Sequence, residues 1–247
     1  TPGNIHMHID LIAGLPYEDM ESFGRSFDQA YCLGPQMLQL GFLKMLYGSR
    51  LRLQAEDLGY TYSQEPPYEF IANPWLTEAE KEKLKWCEDA LERLANSGRF
   101  ARSLPYVLEA SAMRPFHFFC SFGQAVGISV GMPLDDYTTR FYEYACGLPG
   151  VNQAILRDNL VCDRLSCDNT GSLPACLKNH DPRYKLAARA LARQQGYKKQ
   201  PFRLYAFALL YAGPEVEVAV ADYRHKDPVT GCYPVEVVNY EELVKNL

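Results

Sequence analysis

The chain has 247 residues, 47% of them hydrophobic and 22% charged, with a net charge of −5. That length suits one large domain or two smaller ones, and the acidic balance excludes a general phosphate-contacting surface for nucleic acid. Charges interrupt every apolar stretch before it reaches the roughly 20 residues a bilayer span needs, so neither nucleic acid nor membrane is expected as a partner. No charged-then-apolar leader opens the sequence, which starts Thr1-Pro2-Gly3 and reads as a piece of a longer, cytoplasmic protein. Eight cysteines are scattered through mostly apolar surroundings and read as reduced thiols. The tightest group, Cys162, Cys167 and Cys176, is spaced more widely than the paired ligands of structural zinc.

Residues 5–12 alternate, with Ile5, Met7, Ile9 and Leu11 on one face and His6, His8, Asp10 and Ile12 on the other. This is the period of a strand. Gly14-Leu15-Pro16 is a turn signal. From Glu18 to Leu33, Phe23, Phe27, Ala30 and Tyr31 recur at helical spacing before Gly34-Pro35 stops the helix. The apolar run 37–46 has strand length, Gly48-Ser49 closes it, and Leu51–Leu58 predicts another helix. Two strands with a helix between them imply a parallel pair in a right-handed βαβ unit, which needs neighbours in a barrel or open sheet. Ligand sites in such folds lie at the C-terminal ends of the strands, here Asp10–Pro16 and Phe42–Gly48.

In a barrel, the apolar face of the first strand meets the outer helices. His6, His8 and Asp10 then face the interior, where polar groups line a site. They can equally hydrogen-bond one another. His6 and His8 are spaced to share a metal, but the sequence offers them no evident third ligand. Lys44, at the end of the second strand, can reach a carboxylate or stay solvated, and is read as solvated.

Downstream the pattern turns helical. Thr77 and Glu80 form a capping box for Glu78–Asn96, whose apolar stripe is Leu84, Cys87, Leu91 and Leu94. Pro115 precedes an aromatic helix over Phe116–Val130, and an aromatic stripe of this kind is read as core. Further helices are expected at Leu134–Cys146, Val151–Leu165 and Pro182–Gln195. Phe202–Leu210, Val216–Tyr223 and Tyr233–Val238 read as an antiparallel meander, with Asp227-Pro228-Val229-Thr230-Gly231 as a turn. His225 beside that turn is expected at the surface.

Asp10-Leu11-Ile12-Ala13-Gly14-Leu15-Pro16-Tyr17-Glu18 resembles the D-L-I-x-G-L-P-x-[EQ] signature late in radical SAM barrels. Gln39 to Leu51 resembles the sixth strand of those barrels and the segment after it. Pro66-Pro67-Tyr68-Glu69, Trp75-Leu76-Thr77, Asn96-Ser97-Gly98-Arg99-Phe100 and Asp222 to Gly231 extend the likeness over most of the chain. Together they are similar to B12-binding-domain radical SAM proteins with a DUF4080-type C-terminal domain.

This resemblance implies an α/β fragment, the parallel βαβ end of a partial TIM-like barrel, over residues 1–62. A family-specific, mainly α-helical domain with a small C-terminal antiparallel sheet follows over 63–247. It implies a full-length parent that uses S-adenosylmethionine, a [4Fe-4S] cluster and cobalamin for radical or methyl-transfer chemistry. Such a cluster is gripped by three cysteines of a short C-x-x-x-C-x-x-C loop. That spacing occurs nowhere here, so no cofactor is expected to stay bound and this fragment alone is expected to be inactive. By the same resemblance, Ile12, Gly14, Leu15 and Pro16 pack on the adenine side of S-adenosylmethionine, with His8 and Asp10 in the barrel interior. Gly14 lets the backbone approach a flat ligand, although a tight strand-to-helix turn needs glycine equally. The alternative reading is a non-catalytic module that recognises a substrate or a partner protein. The substrate, small molecule or peptide, is not named by the sequence, nor is an oligomeric state set.

Overall fold

Strand β1 (His8–Ala13) and strand β2 (Met37–Phe42) form a parallel pair, with His8 opposite Met37 and Ala13 opposite Phe42. The computed structural model describes residues 6–194, 204–228, 230–245 and 247. Ile5, part of the expected first strand, lies outside the described residues, as do Gln195 and the first two residues of the expected strand from Phe202. His6 and Met7 are described but precede β1.

Helix α1 (Met20–Cys32) connects the two strands. It starts at Asp19, whose side chain accepts from Ser22 N at 2.8 Å and so satisfies one of the helix's free N–H groups. Phe23, Phe27 and Ala30 are its buried stripe. Strand β2 stops four residues short of the apolar run that predicted it. Lys44 instead bridges antiparallel to Glu69, and Met45 N donates to Tyr68 O at 2.8 Å. The helix expected over 51–58 is only α2 (Arg50–Leu53); residues 54–59 continue as turns, with Leu58 N donating to Gln54 O at 3.0 Å, before Gly59 at φ +70°. Two short antiparallel strands follow, β3 (Thr61–Tyr62) and β4 (Phe70–Ala72).

The predicted capping box is present on α3 (Glu78–Leu91), with Thr77 and Glu80 bonding each other's backbone. The helix then continues as a π-helical turn over Glu92–Asn96, closed by Ser97 N donating to Glu92 O at 3.0 Å. That turn aims Asn96 at β2, where its side chain accepts from Leu38 N at 3.1 Å and donates to Leu38 O at 2.9 Å.

Two compact units divide the chain, residues 1–97 with 113–130 and residues 98–112 with 131–247. Helix α4 (Ser103–Ser111) belongs to the second unit and α5 (Pro115–Val126) to the first. Phe116 and Phe119 of α5 meet Phe27 of α1 at centroid distances of 5.5 and 5.9 Å, so the aromatic stripe is core. A Cβ at Gly123 would fall 2.6 Å from the Trp86 carbonyl carbon, so glycine lets α3 and α5 approach closely. Asp28 accepts from Phe116 N at 2.8 Å and from Arg114 Nε at 2.7 Å, and it caps α5 from another helix.

In the second unit, α6 (Leu134–Cys146) has the predicted bounds, and α7 (Gln153–Cys167) is capped by Asn152. Asp163 of α7 caps α4, accepting from Arg102 N at 3.0 Å, Ser103 N at 2.9 Å and Ser103 Oγ at 2.6 Å. A 3₁₀ turn over Ala175–Leu177 leads to α8 (Arg183–Gln194). Strands β5 (Tyr205–Leu210), β6 (Glu217–Asp222) and β7 (Val235–Asn239) form the expected antiparallel meander, and α9 (Tyr240–Val244) follows it. Ala187, Leu191, Phe207, Val218 and Leu243 form the core between sheet and helices. All eight cysteines are free. Among the described residues no helix is long and apolar enough to cross a membrane.

Candidate functional site

The ladder of β1 and β2 separates two faces. Ala13, Leu38 and Leu40 are buried, whereas His8, Asp10, Ile12 and Gln39 are exposed. The row His8–Asp10–Ile12 therefore lies opposite the helix-packed face, as its alternation dictates. His8 Nε2 is 3.0 Å from Asp10 Oδ1. Both are open to solvent, so the pair adds little stability and keeps its polar edges available. His6 is also exposed.

At the C-terminal end of β1 the chain turns sharply. Ile12 is 47% and Leu15 39% exposed, while Pro16 is half-buried. Gly14 is buried with φ +97°, and a Cβ there would fall 2.6 Å from Phe70 Cζ and 2.7 Å from Cδ1. Glycine is required because the Phe70 ring lies on it, so the close approach at this position is made by a core ring. The Gly14 carbonyl accepts from Tyr60 Oη at 2.7 Å and Asn73 Nδ2 at 3.1 Å. Asn73 in turn accepts from Trp75 N at 2.9 Å and Leu76 N at 2.7 Å. Burial raises the Tyr60 phenol, with the Asn73 hydrogen bond opposing it, so Tyr60 stays a neutral donor. Tyr17, at φ +65°, lays its ring 4.7 Å from Trp75. The turn is thus pinned from beneath, with Ile12 and Leu15 left outward.

At the end of β2, Lys44 is exposed as expected. The sequence reading passed over Lys81, which is only 7% exposed on α3. Its Nζ is 2.6 Å from Glu69 Oε1 and donates to Phe70 O. Lys81 thereby fastens β4 to α3, and the i, i+3 pattern of charges around it looks like an ordinary solvated face. His225 lies at the surface, with Nδ1 3.4 Å from Asp222 Oδ2.

The second unit holds a concavity that no sequence motif marks, with a volume of about 620 Å³. Its floor is the end of β5, with Phe207, Leu209 and Tyr211, and Tyr184 stacks on Phe207 at 4.5 Å. The loop before α8 supplies the rim with Ser172, Lys178 and His180, and the first turn of α8 adds Lys185. Gly171 sits at φ +65°, where a Cβ would come 2.8 Å from Ala206 Cβ, so glycine lets this loop cross β5 closely. Arg157 lines the cavity with its side chain 12% exposed. It donates to Leu177 O at 2.8 Å, to Leu209 O at 2.6 Å and to Asp158 Oδ1 at 2.6 Å. Asp158 also accepts from Tyr211 N at 2.6 Å and Ala212 N at 2.7 Å. Asp181 is held by Arg183, with Nη2 2.7 Å from Oδ2, which holds its carboxyl below the usual range.

A family model described as "Protein of unknown function (DUF4080)" matches residues 56–210. The match covers more than half of the sequence and takes in parts of both compact units, so the chain belongs to this family. No curated protein matches the chain.

Proposed function

We propose that the chain is the downstream portion of a cobalamin-type radical SAM enzyme. In this reading β1 and β2 are late strands of a barrel, and the Ile12–Pro16 turn is the wall on which the adenine of S-adenosylmethionine lies. The family is associated with B12-binding radical SAM proteins. The observation that carries the reading is the pair of outward apolar side chains, Ile12 and Leu15, at the C-terminal end of a parallel strand. They adjoin the open polar row of His8 and Asp10.

The residues fit one part of the cofactor set and not another. Ile12 and Leu15 offer the apolar surface that a flat base needs, and burying it there excludes water from one side of the ring. Gly14 spends its carbonyl on Tyr60 and Asn73, so it positions the turn. The His8–Asp10 pair supplies hydrogen-bonding edges for a polar group on the strand face. S-adenosylmethionine, when bound, supplies the transferable methyl group or the source of a 5′-deoxyadenosyl radical. The cysteines of this chain do not fit a [4Fe-4S] cluster, because none has the C-x-x-x-C-x-x-C spacing, and no step is assigned to them.

The test is reconstitution of the full-length protein with iron and sulfide, followed by incubation with S-adenosylmethionine and a reductant. Formation of 5′-deoxyadenosine or S-adenosylhomocysteine is expected, and the absence of both refutes the proposal. For the 247-residue chain alone, the same treatment should give no [4Fe-4S] absorbance. A second reading, a binding module without chemistry of its own, draws support from the cavity in the second unit.

A further inference from the structure

We infer that the cavity between β5 and the loop preceding α8 is a binding site for an organic anion with a flat, apolar body. Its volume of about 620 Å³ falls within the range of small-molecule sites, roughly 300–1,000 Å³. The floor sets the shape preference. Phe207 and Tyr184 stack at 4.5 Å with only 22° between their planes, and Leu209 and Tyr211 extend that apolar surface.

Charge sets the sign. Asp181, which lines the cavity, and Asp158, the neighbour of lining residue Arg157, are already matched. Asp181 is held by Arg183 through Nε and Nη2 at 3.1 and 2.7 Å. Asp158 is engaged by Arg157 and by two backbone N–H groups. Lys178 and Lys185 remain at the rim, both exposed. Among the described residues, neither has a carboxylate within ion-pair distance. An apolar floor below two uncommitted ammonium groups favours a ligand that places a ring on Phe207 and Tyr184 and a carboxylate, sulfonate or phosphate between the lysines. The inference concerns a different site from the Ile12–Pro16 turn and does not depend on radical chemistry, so either proposal can fail without the other.

The probe is 8-anilino-1-naphthalenesulfonate, titrated by fluorescence into the full chain. Its neutral counterpart is N-phenyl-1-naphthylamine, which keeps the aromatic body and lacks the anion. One saturable site is expected for the sulfonate, with affinity at least about tenfold above that of the amine, since two cations at contact distance near a surface supply that much. The double substitution Lys178→Glu and Lys185→Glu should weaken the sulfonate by about tenfold or more while leaving the amine unchanged. Ser172→Trp, at the exposed rim, should block both probes without altering the thermal melt. The inference is overturned by equal binding of the two probes, by sulfonate affinity that ignores the charge reversal, or by full binding in Ser172→Trp. Absence of any saturable sulfonate site overturns it as well.

Discussion

Gly14→Ala isolates the feature that shapes the candidate turn. The substitution carries two separable penalties. The backbone sits at φ +97°, where an L side chain costs about 1–2 kcal/mol. The new methyl would also lie 2.6 Å from Phe70 Cζ, inside a fully buried cluster, and such overpacking costs about 1–3 kcal/mol. Together they predict a loss of about 2–5 kcal/mol. Trp75 and Trp86 are the two tryptophans of the chain, and both lie in the same compact unit as Gly14. Urea unfolding followed by tryptophan fluorescence therefore reports on this unit without interference from the other. In a Phe70→Leu background the ring edge is gone, and the penalty should fall to the backbone part, about 1–2 kcal/mol. Equal penalties in both backgrounds would refute the steric argument, and a total below about 0.5 kcal/mol would refute the backbone argument too.

Three further predictions concern groups away from the turn. Asp163→Ala removes the carboxylate that caps α4 through Arg102 N, Ser103 N and Ser103 Oγ; a loss of about 2–4 kcal/mol is expected by thermal or chemical unfolding, with a loss under 1 arguing against the cap. The Arg224 side chain beside Asp222, assisted by the Arg224 N–H and His225, holds that carboxyl well below the usual range. Its folded pKa is depressed, so it contributes stability above about pH 4 that is lost as pH falls further; Asp222→Asn should flatten the acid limb of the pH–stability curve, and an unchanged limb would discount the pair. Cys32 is exposed, whereas burial pushes the Cys162 and Cys167 thiols up to about 11. At pH 8, Cys32 should therefore react first with a disulfide reagent and those two only after unfolding, a sequence that peptide mapping of the labelled sites can check.

Much of the fold was legible wherever the signal was local. Helix α1 carries its stripe in Phe23, Phe27 and Ala30, α3 has the Thr77–Glu80 box, and α6 is bounded by Pro133 and Gly147. Helix α4 escaped because its cap is Asp163, supplied by α7 and separated from Ser103 by 60 residues. Strands β3 and β4 are two and three residues long, too short for any period to register. The apolar run through Leu46 overstated β2, since Leu43 N still donates to Ala13 O at 3.0 Å but the chain beyond it pairs with the segment around Glu69, where Met45 N donates to Tyr68 O. Asn239 does open α9 with a local cap, but the preceding strand pattern masked it. At the candidate turn, alternation placed His8, Asp10 and Ile12 on the open face, whereas the ring that makes Gly14 obligatory comes from residue 70. The cavity was invisible for the same reason, because Arg157 of α7, the loop before α8, Tyr184 and Lys185 of α8, and the end of β5 line it with no common spacing.

The wide turn that ends α3 has a consequence for insertions and deletions. A π turn is an α-helical turn carrying one surplus residue, and here that surplus brings the Asn96 amide against both backbone groups of Leu38. The amide thus stands in for a neighbouring strand at an edge that would otherwise recruit one from another molecule. Gain of one further residue in Glu92–Ala95 would swing Asn96 by about 100° around the helix axis, whereas loss of one lets the turn relax to ordinary α winding with the residues beyond it nearly in phase. The segment should therefore accept many replacements on its outer side yet reject an added residue, with self-association as the visible symptom of a lengthened chain.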